Sequence, residues 1–439
     1  MTEAAQEKTG LGNYFVANYP PFSFWKRDFL PEARAALDRP PQPDVPLGLY
    51  LHIPFCRKRC KFCYFRVYTD KNARDVETYL DALVKEVTLL ARKPVVGGRP
   101  LKYVYFGGGT PSYLSASQLR DLMGRLKAAL PWEGVEEVTF ECEPGTLQQH
   151  KLEALREMGV TRLSLGIENF DPKILEFNGR AHLEEEIHRA YGWARGLGFD
   201  QINIDLIAGM VGESWPNWRQ CVAKTLALAP ESVTIYQMEL PFNTVFSKEL
   251  RVLGQDEPPA LEIADWPTKR AWVDYAFNEM TKAGYEISSA YTLVKDRSRC
   301  RFVYRDSLWH GADMFGTGVA SFGHLNGVHV QNVDTWEAYV EHLDRNELPL
   351  GRAFPVGPRE RLIREMILQL KTGRLDVGYF QKKFGVDVQR EFAEGFEQLA
   401  ADGNLIGNDG VELTRKGLLQ VDRLLPTFFE PQHRGTRYT

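Results

Sequence analysis

Cys56-Arg57-Lys58-Arg59-Cys60-Lys61-Phe62-Cys63 places three thiols close together, directly behind the apolar run Leu49-Tyr50-Leu51-His52-Ile53. Iron–sulfur clusters are held by cysteine thiolates, usually four of them. Three would leave one iron with open positions for an exchangeable ligand. A structural zinc site or a chance grouping is the alternative. Zinc sites, however, draw four ligands from paired Cys or His motifs, and no second Cys pair follows. The neighbouring Arg57, Lys58, Arg59 and Lys61 are expected to lower the thiol pKa values and to offset a cluster's negative charge.

From about residue 48 to 240 the chain alternates β-rich apolar runs with helix-like segments. The runs cover residues 49–53, 103–106, 138–141, 162–167, 202–207 and 233–238. Between them, apolar side chains at helical spacing predict helices over 78–91, 117–129, 150–158, 184–196 and 218–227. Strand and helix in regular turn indicate βαβ units on a parallel sheet. Six such units form an incomplete barrel or a doubly wound sheet, and in both the sites gather at the C-terminal strand ends.

Those ends carry reactive or permissive residues. The second run ends in Gly107-Gly108-Gly109-Thr110-Pro111-Ser112, the third in Glu141-Cys142-Glu143-Pro144 and the fourth in Gly166-Ile167-Glu168-Asn169. The fifth holds Asn203-Ile204-Asp205, and the sixth Tyr236-Gln237-Met238-Glu239. One acid on a strand is an ordinary edge charge. Glu141, Glu168, Asp205 and Glu239 at equivalent ends point to a shared pocket. The glycine run follows a strand directly, so bare backbone can approach a ligand closely. It lacks the spacing of a dinucleotide fingerprint or phosphate loop. A ligand with an amino acid head group fits better: its ammonium needs carbonyl acceptors, and its hydroxyls and carboxylate need the acids and Arg180.

At 439 residues, 44% hydrophobic and 26% charged, the composition is that of a folded protein, without long disorder. A net charge of −4 gives no drive toward nucleic acid or membrane surfaces. No run approaches a membrane span, and the first residues lack the pattern of a signal peptide. Cys142, Cys221 and Cys300 stand alone and read as small buried hydrophobes rather than disulfide partners. A cytoplasmic, reducing location is expected.

The organisation expected is an aromatic, Pro-rich arm (1–47), the core (48–240), an extension on the substrate side (241–356) and a helix-rich, winged-helix-like module (357–439). The arm's aromatics either pack on the core or form a flap over the site. In the extension, Tyr291, Tyr304, Trp309 and His310 are candidates to face a substrate, and Arg297, Arg299, Arg301 and Arg305 to greet a carboxylated one. The last module shows no basic recognition face, so no nucleic-acid partner is expected. Its tail, Phe428-Phe429-Glu430-Pro431-Gln432-His433-Arg434, either returns to the pocket or is a disordered end.

The cysteine motif, the glycine run and the acids at their places together resemble the radical S-adenosylmethionine (SAM) superfamily. Within it the chain is most similar to the oxygen-independent coproporphyrinogen III oxidase-like group. The resemblance runs through Tyr50-Leu51-His52-Ile53-Pro54-Phe55-Cys56, Phe106-Gly107-Gly108-Gly109-Thr110-Pro111, Ser164-Leu165-Gly166-Ile167, Asn203-Ile204-Asp205-Leu206-Ile207 and the late stretch Leu413-Thr414-Arg415-Lys416-Gly417. It implies an α/β fold, an incomplete (β/α)6 parallel barrel of radical SAM type. It also implies a [4Fe-4S] cluster on Cys56, Cys60 and Cys63, with SAM on the fourth iron. Tyr50, Phe62, Gly108, Gly109, Thr110, Glu141, Glu168, Arg180, Asp205 and Met238 match the family's positions around SAM. Glu141 suits the ammonium, Asp205 the ribose hydroxyls, and Arg180 a carboxylate or neighbouring acid. Some members of the group hold a second SAM, and a reducing donor such as flavodoxin or ferredoxin is the implied partner.

Phe65 stands where the oxidases proper carry a further Cys, and Glu168 where they carry Gln. Tyr236-Gln237-Met238-Glu239-Leu240-Pro241 also departs from their pattern. In Phe65 the chain resembles the haem chaperones and the two-SAM methyltransferases of the same group. The leading expectation is therefore a two-SAM C-methyltransferase acting on an sp2 carbon of an aromatic, quinone or otherwise unsaturated small molecule. The runner-up is oxygen-independent coproporphyrinogen III dehydrogenation, on a tetrapyrrole. A haem-binding chaperone, with His52, His310, His324 or His329 as ligand, is the reading of a different class.

Overall fold

The computed structural model describes residues 15–252, 263–406 and 410–435. Its sheet is built on six parallel strands: β1 (Leu47–Ile53), β2 (Leu101–Gly108), β3 (Glu137–Cys142), β4 (Arg162–Glu168), β5 (Gln201–Ala208) and β6 (Ser232–Gln237). Each neighbours the next in sequence order with a helix between them, so all five crossovers run the same way round. This is the α/β, incomplete-barrel fold expected. The sheet does not close. Beyond β6 lie β7 (Glu286–Ile287) and β8 (Thr292–Val294), and beyond β1 lie β9 (Asp313–Thr317), β10 (Phe322–Leu325), β11 (Val328–Asn332) and β12 (Leu350–Pro355). β9 runs parallel to β1. The other five pair antiparallel, an extension the strand-and-helix pattern of the core did not foretell.

The helices begin where side chains satisfy their free N–H groups. Ala73–Ala91 is capped by Asn72, with Asp75 reaching back in a capping box. It therefore starts five residues before the expected 78. Ser115 and Gln118 make the same device for Ala116–Ala129. Leu49, Leu51, Ile53, Val104, Phe106, Phe140, Leu163, Leu165, Ile202 and Ile204 turn to the buried core shared with the helices.

The opposite face of the same strands is polar. Ser164 Oγ donates to Asp205, Asn203 Nδ2 to Ser164, and Ser232 and Thr234 both to Asn203. Side chains alternate faces along a strand, so this inner row is the concave side of the part-barrel. Parallel strands covered on both faces normally read as nearly continuous hydrophobic runs. A row of acids, amides and hydroxyls there marks the chamber.

The arm packs. Tyr19 is fully buried against Phe429 and His433, and Trp25 stacks on His329 at 4.9 Å. The tail likewise packs on the arm, with His433 Nδ1 and Tyr19 Oη 2.9 Å apart, and does not return to the pocket. The late helices Pro358–Leu370, Val377–Phe384, Val388–Glu391 and Ala393–Ala401 are present, and Leu405 bridges Leu413. The expected turn at Asn408-Asp409-Gly410 falls largely outside the described residues.

Candidate active site

The cysteine loop leaves β1 and returns to it, closed at its neck by Tyr68 N–H on Pro54 O (2.7 Å) and Cys56 N–H on Tyr68 O (3.0 Å). Lys61 N–H bonds Asn178 O and Lys61 O receives Phe246 N–H, so the loop's middle is pinned to two further segments. Thr110 Oγ1 donates to Cys56 Sγ at 3.2 Å, and Arg180 Nη1 lies 3.5 Å from Cys60 Sγ. Thus the glycine run and the loop after β4 each reach a thiol. Among the described residues, no three His, Cys, Asp or Glu side chains converge as the ligands of one metal ion do.

Of the neighbouring basic residues, Arg59 pulls the Cys63 thiol down as expected, but burial outweighs it. Burial pushes the Cys56 thiol up to about 11 and the Cys63 thiol up to about 12. Arg57 is taken by Glu143 at 3.2 Å, while Lys61 sits over the Phe177 ring at 4.9 Å with Glu249 3.9 Å away. Burial favours the thiol form at Cys56 and Cys63, whose protons iron must displace.

Glu141 accepts Tyr105 O–H at 2.7 Å and Gly108 N–H at 3.1 Å. Burial pushes it up to about 7, with Asp205 nearby adding to the rise. A Cβ on Gly108 would lie 2.4 Å from His52 Nδ1, and its φ of +110° favours glycine in any case. His52 Nε2 donates to Arg66 O, so its bare Nδ1 faces Tyr50 O–H at 3.4 Å. Burial lowers this imidazole to about 4. Asp205 accepts Ser164 O–H at 2.7 Å and Asn203 N–H at 2.9 Å, and burial raises it.

Glu168 is the strained member. It has φ +65°, at a register shift between Gly166 and Glu168 in the β4–β5 ladder. A non-glycine residue there costs on the order of 1–3 kcal/mol and persists where its surroundings impose it. Its carboxylate lies 3.7 Å from Arg180 Nη2, which also bonds Gly166 O. Burial pushes Glu168 up to about 7 against the pull of Arg180.

The sequence-derived set is therefore largely brought together. Thr110 reaches Cys56, Arg180 joins Cys60 to Glu168, and Gly108 bonds Glu141, with Cys63 on the same loop as the other thiols and Asp205 close enough to Glu141 to raise it; Gly109 N–H ties the glycine run to Ile53 O at 2.9 Å. Tyr50 joins through Tyr105, stacked at 5.7 Å. Phe62 and Met238 share an apolar patch with Ile174, Ile207, Met210 and Phe246. Glu239 stands apart, in the field of Asp422, Lys269 and Lys371.

The extension gives a mixed result. Tyr304 packs its ring, tilted by 34°, on Tyr105 at 4.4 Å inside the chamber, and Tyr291 lies beside Tyr236 and Phe15. Trp309, His310 and the arginines do not face the strand C-termini. Val303 and Tyr304 N–H groups bond Glu137, the first residue of β3, so the helix Val303–Trp309 starts at the lower end of the barrel. Arg301 approaches Glu136 there, Arg297 pairs with Glu286, and Arg305 is buried against Asp306 and Ser288. Sequence reasoning passed over Tyr105 and Arg162. Their only signal was a polar residue at an inner-face position of an otherwise apolar strand.

The model of the radical SAM superfamily matches residues 50–223. An oxygen-independent coproporphyrinogen III oxidase of Synechocystis sp. is 27% identical over 95% of this chain and 92% of its own length. The haem chaperone HemW of Bacillus subtilis is 29% identical over 86% of this chain and 98% of its own. The structure of coproporphyrinogen III oxidase (HemN) from Escherichia coli superposes with a TM-score of 0.80 at 24% identity, covering 94% of this chain and 96% of that one.

Proposed function

We propose that this chain is a member of the radical SAM superfamily, within its oxygen-independent coproporphyrinogen III oxidase-like group, and that it removes hydrogen from a tetrapyrrole side chain. Membership implies a [4Fe-4S] cluster and SAM. When bound and reduced, that pair supplies methionine and a 5′-deoxyadenosyl radical. The donor set fits: three thiols on a pinned loop, one within reach of Thr110 and one of Arg180. Glu141 and Glu168 would receive the ammonium, Arg180 the carboxylate and Asp205 the ribose hydroxyls. Tyr50, Tyr105, Tyr304 and Tyr236 would form the aromatic wall against which a flat ring lies. Loss of a hydrogen atom from a propionate β-carbon, then of carbon dioxide and one electron to an acceptor, leaves a vinyl group.

The observation that carries this reading is the physical link between the thiol loop and the acid-bearing strand ends, in a chain that aligns with an oxidase along nearly its whole length. The methyl-transfer expectation finds no support among the long-range relatives, whose names are those of oxidases and chaperones. A haem chaperone is the second reading, favoured by the extent of the match to HemW. Of the four histidines considered as haem ligands, His52, His324 and His329 are buried, and His310 lies at the lower barrel end.

The test uses reconstituted, reduced enzyme with methyl-labelled SAM and coproporphyrinogen III. The reading expects 5′-deoxyadenosine, carbon dioxide and a vinyl product, with no S-adenosylhomocysteine. Label in the product with S-adenosylhomocysteine would establish methyl transfer instead. Tight haem uptake without SAM cleavage would establish the chaperone.

A further inference from the structure

His182 lies in the loop between the helices Pro172–Phe177 and Glu184–Gly196, with its side chain fully buried. Its Nε2 donates to Ile167 O at 3.1 Å, and its Nδ1 lies 3.2 Å from Glu143 Oε1. A carbonyl and a carboxylate both accept. The closed arrangement therefore holds a proton in the Nδ1–Oε1 contact as well, since without one two lone pairs would face each other. Burial lowers the His182 pKa and opposes that proton, while the bond to Glu143 favours it.

Each partner leads to one half of the site. Gly166 pairs with Asp205 and Glu168 with Leu206, so Ile167 is the extra residue of the register shift and has no partner on β5. Such bulges re-aim a neighbouring side chain. The Ile167 carbonyl accepts from His182 and from Asn169 N–H at 2.8 Å. The next residue is Glu168, on left-handed backbone and turned to Arg180. Strained backbone of this kind persists where its surroundings impose it, and His182 supplies that hold from outside the strand. On its other side, Glu143 receives Arg57 Nη2 at 3.2 Å on both oxygens, and the same Nη2 bonds Ala181 O at 3.1 Å. Arg57, Glu143 and the step from Ala181 to His182 thus close a circuit beside Cys56.

We propose that His182 is a positioning residue of the SAM subsite: it holds the bulge at Ile167, aims Glu168 at the ligand's ammonium, and ties that turn to Arg57 beside Cys56. The assignment rests on the SAM reading above.

The test is equilibrium dialysis of the cluster-loaded enzyme with three probes: SAM, methionine and 5′-deoxyadenosine. Methionine carries the amino acid head group alone, and 5′-deoxyadenosine the nucleoside alone. The proteins are the wild type, His182→Leu, His182→Gln, Glu168→Ala and the double variant His182→Leu with Glu168→Ala. His182→Leu should bind SAM and methionine about tenfold more weakly, and 5′-deoxyadenosine within about twofold of the wild type. His182→Gln keeps a donor for Ile167 O but not the tie to Glu143, and should lose about threefold in the same two probes. It carries the test if His182→Leu does not fold. In the double variant the SAM loss should equal that of Glu168→Ala alone, because His182 acts through Glu168. Three results overturn the assignment and leave the SAM reading standing: unchanged SAM binding in the folded variants, an equal loss of all three probes, or losses that add in the double variant. A wild type that binds no SAM takes both down.

Discussion

Glu86 and Glu168 are two buried carboxyls that burial pushes up to about 7, in two parts of the molecule with opposite purposes. Glu86 lies on the helix Ala73–Ala91, behind the sheet, 1% exposed. It accepts Gly318 N–H at 2.8 Å, Tyr339 O–H at 2.6 Å and Asn332 N–H at 2.6 Å. Glu168 lies in the chamber on left-handed backbone, with Arg180 at 3.7 Å and no hydrogen bond to any described residue. A displaced pKa is common to both, so it cannot be what marks a site. Unfilled acceptor capacity on an imposed backbone marks it, whereas the saturated carboxyl is a knot that ties β9 and β11 to a helix.

Removing the two carboxylates should separate the roles most sharply. Glu168→Ala is expected to lower SAM cleavage by the reconstituted enzyme about 100-fold, the scale of a lost charged contact at a reacting ligand. Its unfolding midpoint in guanidinium should stay near that of the wild type. Glu86→Ala is expected to do the reverse. It strands two buried donors, Gly318 N–H and Tyr339 O–H, and takes one of three acceptors from the Asn332 amide, which costs about 3 kcal/mol of stability, while cleavage per cluster stays within about twofold. A Glu168→Ala enzyme that cleaves normally, or one that mainly loses stability, would erase the distinction.

How much of this was legible beforehand follows from the same contrast. The six strands and the three thiols were readable because alternation and spacing are local properties of the chain. The crown acids were readable because strand ends converge in any such fold. The knot was not, since Glu86 falls on a helix and its donors lie more than two hundred residues away. Arg162 was not singled out in the sequence, and only the register of β3, β4 and β5 places it beneath Glu141 and Asp205. The basic residues beside the cysteines misled for a related reason. Sequence shows their nearness to the thiols but not that Glu143 and the Phe177 ring had already claimed two of them.

The pH dependence of the Glu86→Ala penalty sharpens the comparison further. A carboxyl raised from 4.5 to about 7 binds its proton more tightly when folded. Its contribution is complete below about pH 4.5 and is lost as pH rises toward 7. The mutant lacks this loss, so the penalty should be largest near pH 5 and shrink by at most about 1.4 kcal/mol per pH unit up to pH 7. Taking the difference between variant and wild type cancels the buried histidines, whose lowered pKa values act in the opposite sense. SAM affinity should move the other way and rise over the same range as Glu141 and Glu168 ionise. A penalty that grows with pH would contradict the assignment of Glu86 as a proton-holding structural carboxyl.

The smallest expected effect comes from a single methyl beside each carboxyl. A Cβ on Gly166 would lie 3.0 Å from Glu168 Oε1 and 3.2 Å from Arg180 Nη2, with no backbone closer than Cys142 O at 3.7 Å. Both tight contacts are to ends of side chains, so Gly166→Ala should fold and shift the Glu168–Arg180 pair by a few tenths of an ångström. A displacement of that size at a charged ligand contact is expected to weaken SAM binding about threefold to tenfold. In the knot, the same methyl at Gly318 would meet Tyr79 Oη at 2.5 Å and His52 O at 2.8 Å, on backbone with φ +96°. Nothing there can give way, so Gly318→Ala should lower stability, while the enzyme that does fold binds SAM as the wild type does. Equal binding losses in the two variants would mean that the chamber and the knot are mechanically one unit, and the separation drawn from their hydrogen bonding would fail.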